Sequence, residues 1–456
     1  MGSNHRPSDY ESPALTTELL APKPPRYTVP GVTTSDTPTT APLAITNVTL
    51  HGVGVTVRCA AGVIVAIGPD VVVQPGDEVL DGGGMAAMPG LVNAHTHAAM
   101  TLLRGYGDDL PLMEWLQTRI WPAEASLTAD DVYWGTRLAI IEMLRSGTTH
   151  FVDMYWHGPA VARAVADSGI RATVSTVFID GGDAADGKAQ RPRVLDELDQ
   201  IDAAGPLVHP AVGPHAVYTV SPPSLAWLAE VADQRQIPVH IHLSETEGEV
   251  ADCVKAHNMR PPALLDSVGM LGPRTVCAHG NWLTDEELDL LASRGTTVAT
   301  CPVSNMKLAN GRTFDIVEGM RRGVPVGLGT DGAASNNSLD LLNDVKILAL
   351  VHKHLEADPA VLPASVALAV ASGAASPLLA GHTMAPGDPA DVILVRTDTP
   401  EMTPSPLPEA LVYAASGSMV DTAVVGGRVV MRNRDVPDTD EVMAEVRVRS
   451  QRLRKQ

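Results

Sequence analysis

The chain is predicted to fold as a (β/α)₈ barrel, a TIM barrel, joined to a small β-sandwich domain built from both chain ends. Three observations carry that prediction. Eight apolar, strand-like runs alternate with amphipathic helical stretches through the middle of the chain, and strands alternating with helices imply a parallel sheet. Short β-rich segments precede that region, and a matching set follows it. Apolar residues make up 45% of the 456 residues and charged residues only 19%, which supplies a sizeable core.

Taken in chain order, residues 1–43 are rich in Pro, Ser and Thr and show no helical or strand period, the composition of a disordered extension. The first methionine after Met1 is Met85, which is compatible with an overlong gene start. From Ile45 to Leu80 the runs ITNVTL, VTVRC and VIVAIG alternate with Gly, Asp and Pro, the pattern of a β-module. DVILVRTD from Asp391 and MVDTAVVGGRVVMRNRDV from Met419 return the same texture. Residues 44–85 and 383–436 are therefore expected to form one β-sandwich domain, with a metal-dependent barrel at 86–382 and a C-terminal helix at 437–456.

Within the barrel region the predicted strands are AAMPGLVNA, THFVDMYW, RATVSTVFI, PLVHPAVG, PVHIHLS, TVCAHG, TTVATCPVS and PVGLGTD. Between them, DDVYWGTRLAIIEMLRSG reads as a helix stopped by Gly147, and TDEELDLLASRG as a helix opened by a capping box of Thr284 and Glu287.

Composition excludes several classes of function. Lys and Arg number 33 against 53 Asp and Glu, a net charge of −20, so no basic face is expected for nucleic acid. Cys59, Cys253, Cys277 and Cys301 form no CxxC pair, which argues against a thiolate zinc site or a disulfide framework and suits a reducing, cytoplasmic setting. No apolar run approaches the roughly 18 residues that would span a bilayer, and no export signal opens the chain, so a soluble protein without a membrane partner is expected.

Active sites of such barrels lie at the C-terminal ends of the strands, so the residues ending each apolar run are the informative ones. Strand one ends in His95-Thr96-His97, an i, i+2 pair whose side chains share one side of an extended chain. Strand five ends in His240-Ile241-His242 followed by Glu245, strand six at His279, and strand eight at Asp331. A single histidine at a strand end is ordinarily a hydrogen-bonded structural residue. Histidines and an aspartate from four strands at one end of a barrel instead point to a divalent metal site, zinc first and iron as the alternative, with an open position for water. The only lysine between His97 and His242 is Lys188, so no modified lysine is expected to bridge a second ion. Such a metal brings bound water to a pKa of about 7. Glu245 is then the candidate general acid and base, and His279 and Asp331 are candidates to orient the attacking oxygen and take its proton. This machinery hydrolyses an electrophilic carbon bearing a leaving group, an amide or an amino-heteroaromatic.

The motifs PGLVNAHTHAAMTLLRG, HIHLSETEGEV, AHGNWLT, CPVSNMKLANG and GLGTDGAASNNSLDLL resemble the amidohydrolase superfamily, and more narrowly its 5′-methylthioadenosine/S-adenosylhomocysteine deaminase branch, over about residues 45 to 435. The resemblance implies His95, His97, His242 and Asp331 as ligands to one metal ion, Glu245 as the proton shuttle to the adenine ring and His279 beside the hydroxide. It implies that Trp115 and Glu124 cover the site and hold the ribose hydroxyls, that His215 approaches the 5′ side, and that the chain is a homo-oligomer acting on a small nucleoside. Members of that branch that take S-adenosylhomocysteine clamp its carboxylate with two arginines. Here Thr176 stands where the first is expected, with Arg193 or Arg191 for the second. A hydrogen bond to a charged group is worth about 1.5 to 3 kcal/mol, so its loss favours methylthioadenosine, 5′-deoxyadenosine or adenosine. Two alternatives stay open: the same chemistry on a triazine or guanine-type ring, and a barrel that keeps its ligands as a binding or scaffold protein.

Overall fold

A computed structural model describes residues 41–455, so the extension expected at the N-terminus lies almost wholly outside the described residues. Among the described residues, eight parallel strands form one sheet in chain order: Leu91–Thr96, Thr148–Tyr155, Arg171–Phe178, Val208–Pro214, Val239–Leu243, Thr275–His279, Thr297–Thr300 and Val326–Leu328. They are numbered one to eight below. Each overlaps one of the eight apolar runs, with strands one, two and four reaching one or two residues beyond theirs. Strands one, two, five and six are buried along their whole length, because helices cover the outside of the barrel and side chains fill its interior. The intervening helices start where their caps dictate. Helix Ala129–Arg145 opens on a capping box of Thr128 and Asp131, and helix Asp285–Arg294 on the expected Thr284 and Glu287. Gly147, just past the first of these, has φ +92°, a left-handed conformation open to glycine.

The seam between strands eight and one matters most for the site. Asn93 receives the Thr330 N–H at 3.0 Å and donates to Thr330 Oγ1 at 2.7 Å, while the Asp331 N–H reaches the His95 carbonyl at 3.0 Å. His95 and Asp331, 236 positions apart, thereby become neighbours. The approach is close enough to require Gly329, where a Cβ would stand 2.9 Å from both Cβ and O of His95.

The β-module is a mixed sheet drawn from both chain ends. Strand Ala86–Pro89 lies between Leu43–Leu50 and Val392–Val395, and Val420–Val425 and Arg428–Met431 extend it on the C-terminal side. Ile45, Val57, Ile64, Val392, Leu394 and Val424 share its separate apolar core. Ala86–Pro89 then runs through Gly90 directly into barrel strand one. Helix Thr439–Leu453 lies against helix Ala129–Arg145, its Arg449 and Arg452 paired with Asp130 and Asp131. Its Ser450 also bonds Leu102 O at 2.7 Å, in the short helical turn that follows His97. Among the described residues no helix is long and apolar enough to cross a membrane.

A largely buried ion pair ties module to barrel. Arg171, opening strand three, holds both carboxylate oxygens of Asp391 at 2.8 and 3.0 Å, and Asp391 Oδ1 also accepts the Gly426 N–H at 2.8 Å. Asp391→Ala would strand a largely buried guanidinium, and removal of one partner of a fully buried pair costs about 3–5 kcal/mol, an upper bound here because Arg171 keeps some contact with solvent. A clear fall in the urea midpoint is expected, with part of it recovered in the double variant Arg171→Leu/Asp391→Ala. A midpoint unchanged by Asp391→Ala would contradict this role.

Candidate active site

The strand ends deliver their histidines to one point. His95 is fully buried at the barrel axis, its ring edge-on to those of His97, His240, His242 and His279 with centroids 4.8 to 5.4 Å away. His97 Nε2 and His242 Nε2 face each other at 3.4 Å. Asp331 Oδ1 stands 3.2 Å from His97 Nε2 and 3.5 Å from His95 Nε2. Two overlapping groups could hold a metal ion, one of His95, His97 and Asp331 and the other of His95, His242 and His279. Both use His95, so they describe one centre.

The hydrogen bonds behind these rings decide what the front atoms offer. His97 Nδ1 meets the Met154 carbonyl at 2.5 Å, and His242 Nδ1 meets the His215 carbonyl at 2.7 Å. A carbonyl only accepts, so both rings carry their proton on Nδ1 and present lone pairs at Nε2. His95 Nδ1 contacts His240 Nε2 at 2.8 Å, while its own Nε2 is buried without a partner. Asp331 is steadied by Ser304 Oγ at 2.6 Å, Ser335 Oγ at 3.0 Å and the Gly332 N–H at 2.8 Å. Three imidazole nitrogens and a carboxylate oxygen thus converge on one buried point, a donor set that fits a cation.

Electrostatics agrees. Burial pushes His95 down to about 3 and His242 well below the ordinary histidine range, so both rings are neutral. Burial opposes ionisation of Asp331 too, but the His95 and His97 rings facing its Oδ1 hold it well below the usual carboxylate range. At His97 burial is outweighed by the hydrogen bond and charge of Asp331, which raise it to about 9. The local field there calls for positive charge.

Glu245 borders the same centre. Its Oε2 lies 3.8 Å from His279 Nε2, its Oε1 accepts from Asn310 Nδ2 at 3.0 Å, and burial raises its carboxyl above the usual range. The backbone carrying it is fixed by buried Glu249, whose carboxylate takes the N–H groups of Ser244 and Glu245 at 2.9 and 2.7 Å. Ser244, His279 and Asp331 all have positive φ, of +48°, +72° and +61°. Non-glycine residues held in that region cost about 1–3 kcal/mol each and concentrate at functional sites.

Above the centre is a cavity that His97, His242, Glu245, His279 and Asp331 share with Trp115, Glu124 and His215. Trp115 and Glu124 come from a continuous helical cover, Leu112–Glu124, interrupted by a π turn at Leu116–Ile120. Trp115 Nε1 donates to Tyr106 O at 3.0 Å. His215 Nδ1 contacts Thr219 Oγ1 at 2.9 Å, and burial lowers it to about 4. Glu124, raised by burial, accepts from Trp156 Nε1 at 3.3 Å.

Two expectations are corrected. Arg193 does not line the cavity: it lies on helix Ala184–Asp202, where its guanidinium holds Glu197 one turn away at 2.9 Å and bonds Val177 O at 3.2 Å. Arg191 stacks on Trp227, 4.7 Å from the ring centroid. Thr176 is buried and faces away from the barrel interior, since side chains alternate and its neighbours Ser175 and Val177 face in. The cavity wall there is Val177 and, past the strand, Ile179. Lys188 is on the same helix as Arg193 and exposed.

Sequence reasoning left several residues without a role: Asn281, Ser304, Asn305, Asn310, Ser335 and Glu249, all supporting the first layer, and Tyr155 and Trp156 in the wall. The first six sit inside motifs quoted for their histidines and acids. Tyr155 and Trp156 end the second apolar run, where the strand-end rule applied equally.

The profile of the amidohydrolase family matches residues 86–430. A 5′-deoxyadenosine deaminase of Methanoregula boonei is 50% identical over 381 residues, 82% of this chain and 86% of that protein. A 5-methylthioadenosine/S-adenosylhomocysteine deaminase of Moorella thermoacetica is 43% identical over 378 residues, 81% of this chain and 88% of that protein. Among solved structures, an adenosine deaminase from Xanthomonas campestris with bound zinc superposes with a TM-score of 0.84 at 35% identity, covering 91% of this chain and 98% of that one. An atrazine chlorohydrolase from Arthrobacter aurescens shares the fold, with a TM-score of 0.83 at 22% identity over 90% of this chain and all of that one.

Proposed function

This chain belongs to the amidohydrolase family, and from that premise we propose that it is a metal-dependent hydrolytic deaminase that converts an adenine nucleoside to its inosine counterpart and ammonia. The observation that carries the reading is the convergence of His95, His97, His242 and Asp331 as electron-pair donors beside a buried carboxyl, Glu245. Zinc suits the set of three imidazoles and one carboxylate. When bound, such an ion acidifies water to a pKa of about 7.

The chain's own residues supply the rest. His279 and Asp331 orient the attacking water and receive its proton, and the oxygen bonds to C6 of the purine. Glu245 delivers a proton to N1, takes one from the new C6 hydroxyl and passes it to the departing amine, and the proton first drawn from water then restores the Glu245 carboxyl. Its raised carboxyl, a consequence of burial first, suits proton delivery near neutrality. Glu124 accepts from the ribose hydroxyls, Trp115 covers the base and His215 stands on the 5′ side.

A small neutral 5′ group is the preferred substrate feature. Val177 and Ile179 make an apolar wall, no arginine lines the cavity among the described residues, and the 50% identical relative is named for 5′-deoxyadenosine. The expected order is 5′-deoxyadenosine and methylthioadenosine first, then adenosine, with S-adenosylhomocysteine well behind. Ammonia release from these four, guanine and an amino-triazine tests it on zinc-loaded protein. Turnover of S-adenosylhomocysteine as efficient as that of 5′-deoxyadenosine would refute the ranking.

Glu124→Gln removes a charged acceptor, worth about 1.5–3 kcal/mol, so kcat/KM for 5′-deoxyadenosine is expected to fall about 10- to 100-fold. A much smaller fall is expected with 2′,3′-dideoxyadenosine, which lacks both hydroxyls. Equal losses on the two substrates would remove Glu124 from ribose recognition.

A further inference from the structure

Behind His279 runs a chain of buried polar groups whose direction is set from its far end. The Glu245 carbonyl can only accept, and it accepts from Asn281 Nδ2 at 3.0 Å. An amide side chain can present either end to a neighbour, but this bond turns the Asn281 Oδ1 away from Glu245 and toward Asn305 Nδ2, at 2.7 Å. Asn305 is oriented in turn, and its Oδ1 faces His279 Nδ1 at 2.9 Å. That oxygen has no proton to give, so the proton in the last bond is the histidine's. Asn281, Asn305 and His279 are 4%, 1% and 1% exposed, which leaves no water to compete with any link.

We propose that Asn281 and Asn305 are positioning residues that lock His279 in the Nδ1–H tautomer, so that the neutral ring always presents a lone pair at Nε2 to the reacting centre. The tautomer follows from the bonds alone, and its use rests on the deaminase reading. In this form His279 takes a proton from water at Nε2 as the water O–H bond breaks, and the oxygen keeps the electron pair for its bond to C6. The neutral ring starts with no proton at Nε2 to give, so the first delivery, to N1, falls to Glu245, and the proton His279 has taken from water returns at Nε2 to the spent Glu245 carboxylate, whose Oε2 lies 3.8 Å away. The two proton-handling groups are tied to one network, since the chain that sets His279 starts on the main chain of Glu245.

The test is a long-range proton–nitrogen correlation spectrum of metal-free and zinc-loaded protein carrying nitrogen-labelled histidine, with the His279 signals assigned by their loss in His279→Gln. The wild-type protein is expected to show a protonated Nδ1 and an unprotonated Nε2 at His279 in both forms. Asn281→Leu, which does not touch His279, frees the Asn305 amide to turn over. The second tautomer should then appear, and kcat should fall about 10-fold while KM changes less than about threefold. A wild-type His279 protonated at Nε2 would overturn the proposal, as would a folded Asn281→Leu protein whose His279 tautomer matches wild type. The wild-type spectrum decides the matter even if that variant does not fold. The expected tautomer in a protein that turns over no adenine nucleoside would support the lock and sink the deaminase reading.

Discussion

Glu245→Gln is expected to lower kcat about 10²- to 10⁴-fold, the range typical of a positioned general acid and base. Glutamine has the same shape and can keep the contact that Glu245 makes with Asn310 Nδ2 at 3.0 Å. The turn carrying it stays fixed, because Glu249 holds the N–H groups of Ser244 and Glu245. What is lost is a group able to bind and release a proton beside His279. Metal content and thermal midpoint should therefore stay near wild type while turnover collapses. Steady-state kinetics with 5′-deoxyadenosine and elemental analysis of the same preparation check it. A kcat within tenfold of wild type would assign the proton transfers to another residue.

Asp331→Ala has the second large effect, and it acts on the metal. The Asp331 carboxylate is the only anionic member of the proposed ligand set, and it faces both His95 and His97 through Oδ1. Removing it leaves three imidazoles and no negative charge at a fully buried point. Loss of a mere supporting partner typically costs 10- to 100-fold in metal affinity, and loss of the charged ligand itself should cost more, so occupancy after dialysis is expected to fall from about one ion per chain to below about a tenth. Zinc binds the native state preferentially, so adding it should raise the thermal midpoint of the wild-type protein and not of the variant. A variant that retains stoichiometric metal would show that Asp331 is not a ligand.

Much of this was legible in the sequence because the barrel writes itself as a period. Strands buried on both faces appear as continuous apolar runs, and all eight runs carry a barrel strand, although the first also gives Ala86–Pro89 to the β-module. Their C-terminal ends face one way, so His95, His97, His242, Glu245, His279 and Asp331 could be picked as a group before any contact was visible. The misses have two physical causes. Parity along a strand is one: Thr176 and Val177 differ by a single position, and that position decides which side chain sees the cavity. Competition from local partners is the other. Arg193 finds Glu197 a helical turn away and the Val177 carbonyl beside it, partners that a search for distant anion clamps does not weigh. The supporting layer of Asn281, Asn305 and Glu249 was hidden differently, because those residues gain meaning only from atoms brought close by other strands. The left-handed backbone at His279 and Asp331 is likewise a property of strand-end turns, not of the residue types found there.

The central claim is that water replaces the amine at C6 of an adenine nucleoside. Its most direct test is reaction of zinc-loaded protein with 5′-deoxyadenosine in heavy-oxygen water, followed by mass spectrometry of the nucleoside product and assay of ammonia. The account predicts 5′-deoxyinosine carrying one heavy oxygen, with one ammonia released per product. Failure of every adenine nucleoside under these conditions, with an amino- or chloro-triazine converted instead, would contradict it.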